Sequence, residues 1–182
     1  MILITGLYAA LLAAAVVWSA LRGDRPLLQH PDTTPVDAWL AAAVGTGGGL
    51  LVVLASRAAS ARFSWARRLE DAFAELVGPL SLMQVLLLAA ASAVAEEAFF
   101  RGAMQPALGL VPTALIFGLL HVGPVRLFLP WTTMALVMGF ALGLMFNWSG
   151  TLIAPVLCHA VINTLNLHRI AVKAKNRDRP PA

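Results

Sequence analysis

The chain has 182 residues, 59% of them hydrophobic and 12% charged, with a mean hydropathy of +0.79. Its apolar runs are too long and too numerous for one water-soluble core, which excludes a soluble globular domain and predicts an all-α, polytopic transmembrane helical bundle. The formal net charge of +4 does not point to nucleic acid, because the basic residues flank the apolar runs and no P-loop or glycine-rich dinucleotide signature is present.

Six hydrophobic helices are predicted, over 2–21, 36–55, 77–108, 112–122, 127–146 and 151–170. The first reads as a retained span and not a signal peptide, since no Lys or Arg precedes its apolar run. In the second, the Gly47–Gly49 run is expected to permit close helix packing. Residues 55–76 mix Arg57, Arg62, Arg67 and Arg68 with Phe63, Trp65, Leu69, Phe73 and Leu76. That mixture predicts an amphipathic helix lying on the membrane surface, drawn to anionic lipid. The fourth helix is too short to cross a hydrocarbon core of about 30 Å. Residues 1–172 are expected to form a single integral-membrane domain, and 173–182 a polar, disordered tail.

Charge sets the expected orientation. With the N-terminus cytoplasmic, that side holds Arg57, Arg62, Arg67, Arg68, Arg126, Arg169, Lys173, Lys175, Arg177 and Arg179, against Arg22 and Arg25 on the other. This is a positive-inside bias with both termini cytoplasmic. Trp18, Trp39, Trp65, Trp131 and Trp148 all fall near span ends, as interfacial belts require.

Ionisable groups inside an apolar span cost about 2.5–3.5 kcal/mol each even on lenient insertion scales, so their positions carry information. Glu96, Glu97 and Arg101 lie on the third span, His121 ends the fourth, and His159 and Asn163 lie on the sixth. Glu97 and Arg101 are spaced i, i+4 and can neutralise each other, as His159 and Asn163 can face one cavity. Glu96 is rotated about 100° from Glu97 and has no cation at a helical spacing, the setting of a general acid or base. Depth agrees: Glu97 and His121 stand equally far from a turn at Gly109, about 18 Å along each helix. Structural alternatives remain open for Glu97–Arg101 as a packing pair, for His121 as a helix cap, and for His159 and Asn163 as interhelical hydrogen-bonding groups. Cys158, the single cysteine, allows no internal disulfide and points away from His159 on a helix, so it reads as a small buried residue.

Glu96-Glu97-Ala98-Phe99-Phe100-Arg101 resembles the E-E-x-x-x-R motif of the CAAX-protease and bacteriocin-processing family of intramembrane proteases. Phe117-Gly118-Leu119-Leu120-His121 resembles its F-x-x-x-H motif, and His159-Ala160-Val161-Ile162-Asn163 its H-x-x-x-N motif. The three occur in the family's order and cover most of 95–163. The resemblance implies an intramembrane endopeptidase in which Glu96 activates a water that His121 helps to position. His159 and Asn163 would then stabilise the oxyanion, with Glu97 and Arg101 supporting the site as a pair. It implies a membrane protein or peptide substrate, in the lipid bilayer of a bacterial inner membrane, and leaves open a myxosortase-like sorting protease. No cofactor is expected. The alternative is zinc held by Glu96, His121 and His159, against which no H-E-x-x-H pair is present. Two other functions stay open: a non-enzymatic immunity or scaffold protein, and a proton-coupled transporter, although no inverted repeat is visible.

Overall fold

The computed structural model describes residues 2–23 and 27–177. Arg25 and Arg179, used in the orientation argument, lie outside the described residues. Among the described residues the chain is an all-α bundle of seven helices: α1 (Ile2–Arg22), α2 (Ala38–Arg62), α3 (Ser64–Val77), α4 (Leu82–Leu108), α5 (Leu110–Leu120), α6 (Leu129–Ser149) and α7 (Ile153–Arg177). A 3-10 turn, Arg126–Phe128, leads into α6.

Four helices, α1, α2, α4 and α6, are long and apolar enough to cross a membrane, and the chain is an integral membrane protein. Of the six expected hydrophobic helices the fourth is too short to cross, as its length implied, and the expectation is corrected at the sixth. The short fourth helix is α5, with 11 residues. The sixth is α7, whose 25 residues include His159, Asn163, Asn166, His168, Arg169, Lys173 and Lys175, too polar a set for a lipid-facing span. It is instead an interior helix, packed against α2, α3, α4 and α6. It continues through Arg177, so the polar tail expected from residue 173 is helical as far as that residue, and 178–182 lie outside the described residues.

Glycine fixes how α2 meets α7. A Cβ on Gly45 would stand 2.3 Å from the Ala154 carbonyl oxygen, and one on Gly49 would stand 2.7 Å from that of Cys158. The i, i+4 pair Gly45 and Gly49 thus lets the two backbones touch, as small residues do between membrane helices. Gly47, inside the run expected to serve this purpose, meets nothing within 4 Å. The fully buried Cys158 fills the same seam.

The amphipathic helix begins later than the sequence suggested. Residues up to Arg62 extend α2, the chain breaks at the extended Phe63, and α3 starts at Ser64. Its acidic face is tied to the basic end of α7, with Arg169 3.2 Å from Glu70 and Lys173 2.9 Å from Asp71. Phe63 and Trp65 stack with ring centroids 6.1 Å apart and both are exposed, as is Leu76. Only three of the five tryptophans are exposed: Trp39, Trp65 and Trp148. Trp18 packs edge-on against Phe99, and Trp131 against Phe73 and His121.

Ser81 and Gln84 form a capping box that starts α4. Midway, over Ala98–Met104, α4 relaxes into a π-helical turn, a local widening that often marks functional positions. Gly109, at φ +86°, ends it and reverses the chain into α5.

Candidate active site

The polar groups of α4 lie on two sides of that helix. Glu97 and Arg101 point inward and are fully buried. Arg101 Nη1 donates to Glu97 Oε1 at 3.1 Å, and Nη2 donates to the Gly139 carbonyl at 3.2 Å. Its guanidinium lies 4.5 Å from the Phe117 ring centroid, a cation–π contact that offsets part of its desolvation. The Gly139 carbonyl is reachable because α5 and α6 are nearly in backbone contact there, where a Cβ on Gly139 would stand 2.9 Å from the Ala114 oxygen. One turn on, Gln105 Nε2 repeats the pattern with the Gly143 carbonyl at 3.0 Å.

Glu97 Oε1 also meets His159 Nδ1 at 2.8 Å. One carboxylate oxygen therefore joins α4 to α7 while Arg101 joins α4 to α6. The pairing of Glu97 with Arg101 follows the sequence expectation; the bond to His159 does not appear in any helical spacing.

Glu96 faces the other way. Its Oε2 is buried and has no hydrogen-bond partner among the described residues. The nearest basic atom is His121 Nε2, 3.9 Å away. His121 is the C-cap of α5, and its Nδ1 lies 2.7 Å from the Phe117 carbonyl. A carbonyl only accepts, so Nδ1 carries the proton, and in the neutral ring Nε2 turns a lone pair toward Glu96. Thr132 Oγ1 donates to the His121 carbonyl at 2.9 Å. His159, Glu97 and Arg101 also lie within electrostatic reach of Glu96, so α4, α5 and α7 bring the set together.

Asn163 reaches the same region through a residue the sequence reading passed over. Its Nδ2 donates to Ser92 Oγ at 2.9 Å, and Ser92 Oγ donates to the Ala89 carbonyl at 3.1 Å. Ser92 stands four residues before Glu96, on the same helix face, which was the available signal. Tyr8 on α1 lies within electrostatic reach of Glu96 and its side chain interacts with Ser92. Nothing in the first span's sequence marked it beyond being the one tyrosine. His30 stays apart, its Nδ1 turned to Asp32 and Thr33 in the connection before α2.

Glu96, His121 and His159, the alternative zinc ligands, do not stand as a preformed ligand set. Among the described residues no three His, Cys, Asp or Glu side chains converge at ligating spacing; His159 Nδ1 is engaged by Glu97, which leaves its Nε2 as the ring nitrogen open to another partner.

Every motif-bearing side chain falls within residues 78–165, and that stretch matches the family described as type II CAAX prenyl endopeptidase Rce1-like. The Rce1-like stretch runs from the α3–α4 connection into α7, leaving α1, α2 and α3 outside it. Among curated proteins, the uncharacterized protein YpbD of Bacillus subtilis (strain 168) is 34% identical over 101 residues, covering 54% of this chain and 52% of YpbD. The chain thus spans about half the length of that relative. No solved structure matches.

Proposed function

We propose that the protein is an intramembrane endopeptidase that hydrolyses a peptide bond in a membrane-associated protein or C-terminal tail. The observation that carries this reading is the buried, unbonded Oε2 of Glu96 facing the lone pair of His121 Nε2 across 3.9 Å. The Rce1-like match over the same residues supports the reaction class.

The gap suits a single water that donates one proton to Glu96 and the other toward His121 Nε2, leaving an oxygen lone pair directed at substrate. Attack forms the C–O bond to the scissile carbonyl carbon as Glu96 takes the water proton. The oxyanion then draws on Asn163, whose amide keeps a second N–H beyond the one given to Ser92. His159 contributes through Nε2 when its ring is imidazolium, the form in which Nδ1 donates to Glu97 and Nε2 is also a donor. Collapse breaks the C–N bond and the proton held by Glu96 passes to the departing amine. The second water proton stays on the attacking oxygen, so the products are a carboxylic acid and an amine, which then exchange a proton with solvent; no covalent enzyme intermediate forms and no metal takes part.

Both termini are taken to be cytoplasmic on the positive-inside balance of the connections, and the host membrane to be a bacterial plasma membrane, which the relative in Bacillus subtilis supports. In cells of the host, Glu96→Ala and His121→Ala should each cause a membrane protein to accumulate with its cleaved segment attached, as read by mass spectrometry of intact membrane proteins. Normal processing in both variants would remove the protease reading in favour of a binding role.

A further inference from the structure

His121 occupies a precarious position. It lies just beyond the last turn of an 11-residue helix, and the chain after it is exposed at Val122, Pro124 and Val125. Beyond the bond from Nδ1 to the Phe117 carbonyl, a histidine there needs packing to hold its ring in place. Two aromatic rings do so. Phe117, one turn back, lies 4.5 Å away by ring centroids, and Trp131 meets the imidazole edge-on at 5.3 Å.

Trp131 is itself braced from outside the Rce1-like stretch. Phe73 of α3 packs against it at 5.4 Å, almost perpendicular, and Phe128 packs at 6.3 Å. Phe73 and Phe128 also touch each other at 5.1 Å. Gly123 admits this cluster, since a Cβ there would stand 2.2 Å from Cβ of Phe128. Helix α3 is in turn fastened to α7 through Glu70 and Asp71. An unbroken set of ring contacts therefore runs from the surface helix to the imidazole facing Glu96.

We infer that Trp131, backed by Phe73 of α3, is the positioning residue that fixes the His121 imidazole with Nε2 toward Glu96. This rests on the proposed hydrolytic reading for its consequence in catalysis, but not for its geometry. Trp131 touches no reacting atom. It acts by closing off the alternative rotations of the His121 ring, so that the bond from Nδ1 to the Phe117 carbonyl persists and one tautomer dominates.

The test is the ¹⁵N imidazole spectrum of His121 in the full chain, labelled at histidine and reconstituted in lipid nanodiscs. His121→Gln supplies the assignment. Wild type is expected to show two well-separated nitrogen resonances, one protonated at Nδ1 and one unprotonated at Nε2. In Trp131→Ala the two should move toward a common averaged position, in Phe73→Ala they should move part of the way, and in Trp131→Phe they should stay near wild type. Turnover of the accumulated precursor should fall in Trp131→Ala by up to about 100-fold in kcat, with KM little changed and kcat largely restored in Trp131→Phe. An unchanged His121 spectrum in Trp131→Ala overturns the inference, whatever happens to activity. If Trp131→Ala does not fold, an unchanged spectrum in Phe73→Ala overturns it equally. A shifted spectrum in an enzyme whose cleavage survives Glu96→Gln upholds the positioning role while removing the hydrolytic reading.

Discussion

Glu97 and His159 meet at 2.8 Å, on two helices separated by 62 positions in sequence. Because Glu97 Oε1 also receives Arg101, removing this carboxylate strips a fully buried guanidinium of the anion it bonds. Breaking a buried pair from one side costs about 3–5 kcal/mol. Glu97→Ala is accordingly expected to lose most of its resistance to denaturant, measured by unfolding in mixed micelles. Glu97→Gln, which keeps an acceptor for Arg101, should lose less.

Gly139 is the second structural test. Its missing side chain is what allows α5 to approach α6, and the nearest obstacles to a Cβ are Ala114 backbone atoms, which cannot swing aside. Gly139→Ala should destabilise by about 1–3 kcal/mol, the usual range for overpacking. It should also disturb the contact between Arg101 and the Gly139 carbonyl. Gly47→Ala, in open space, should be close to neutral in the same unfolding measurement.

Asn163 and Ser92 separate oxyanion stabilisation from its support. Asn163→Ala should lower kcat by on the order of 10²–10³, the scale for loss of one oxyanion donor. Ser92→Ala removes only the acceptor that orients the Asn163 amide, so its effect should be smaller and should vanish in the Asn163→Ala background. A double-mutant cycle on cleavage rate checks this coupling.

Metal dependence gives a simple assay. On the mechanism proposed here, cleavage by the purified protein should persist at its original rate after dialysis against a strong zinc chelator. A loss of activity restored by zinc would require Glu96, His121 and His159 to draw together into a ligand set.

The sequence carried the fold class and the polar set because both are written in local spacing. Buried charges in apolar runs stand out without any coordinates, and the i, i+4 relation of Glu97 to Arg101 became a real bond. What the sequence hid were relations across helices. The helix bearing His159 and Asn163 looked like a sixth hydrophobic span, yet its polar face serves the interior and not lipid. The second role of Glu97 depends on the rotation of α7 about its axis, which periodicity along α4 does not report. The carbonyls of Gly139 and Gly143 have no side-chain signature at all. Trp18 and Trp131 matched an interfacial belt by position, while their partners Phe99 and His121 became visible only once the chain was folded. The π-helical turn at Ala98–Met104 likewise has no marker in residue type.

Hydrolysis by this site depends on Glu96 as the group that takes a proton from water. Glu96→Gln preserves shape and volume but cannot accept that proton, so it should match wild type in unfolding while cleaving a reconstituted precursor at a rate indistinguishable from background. Cleavage by the folded Glu96→Gln protein at the wild-type rate would contradict the central claim.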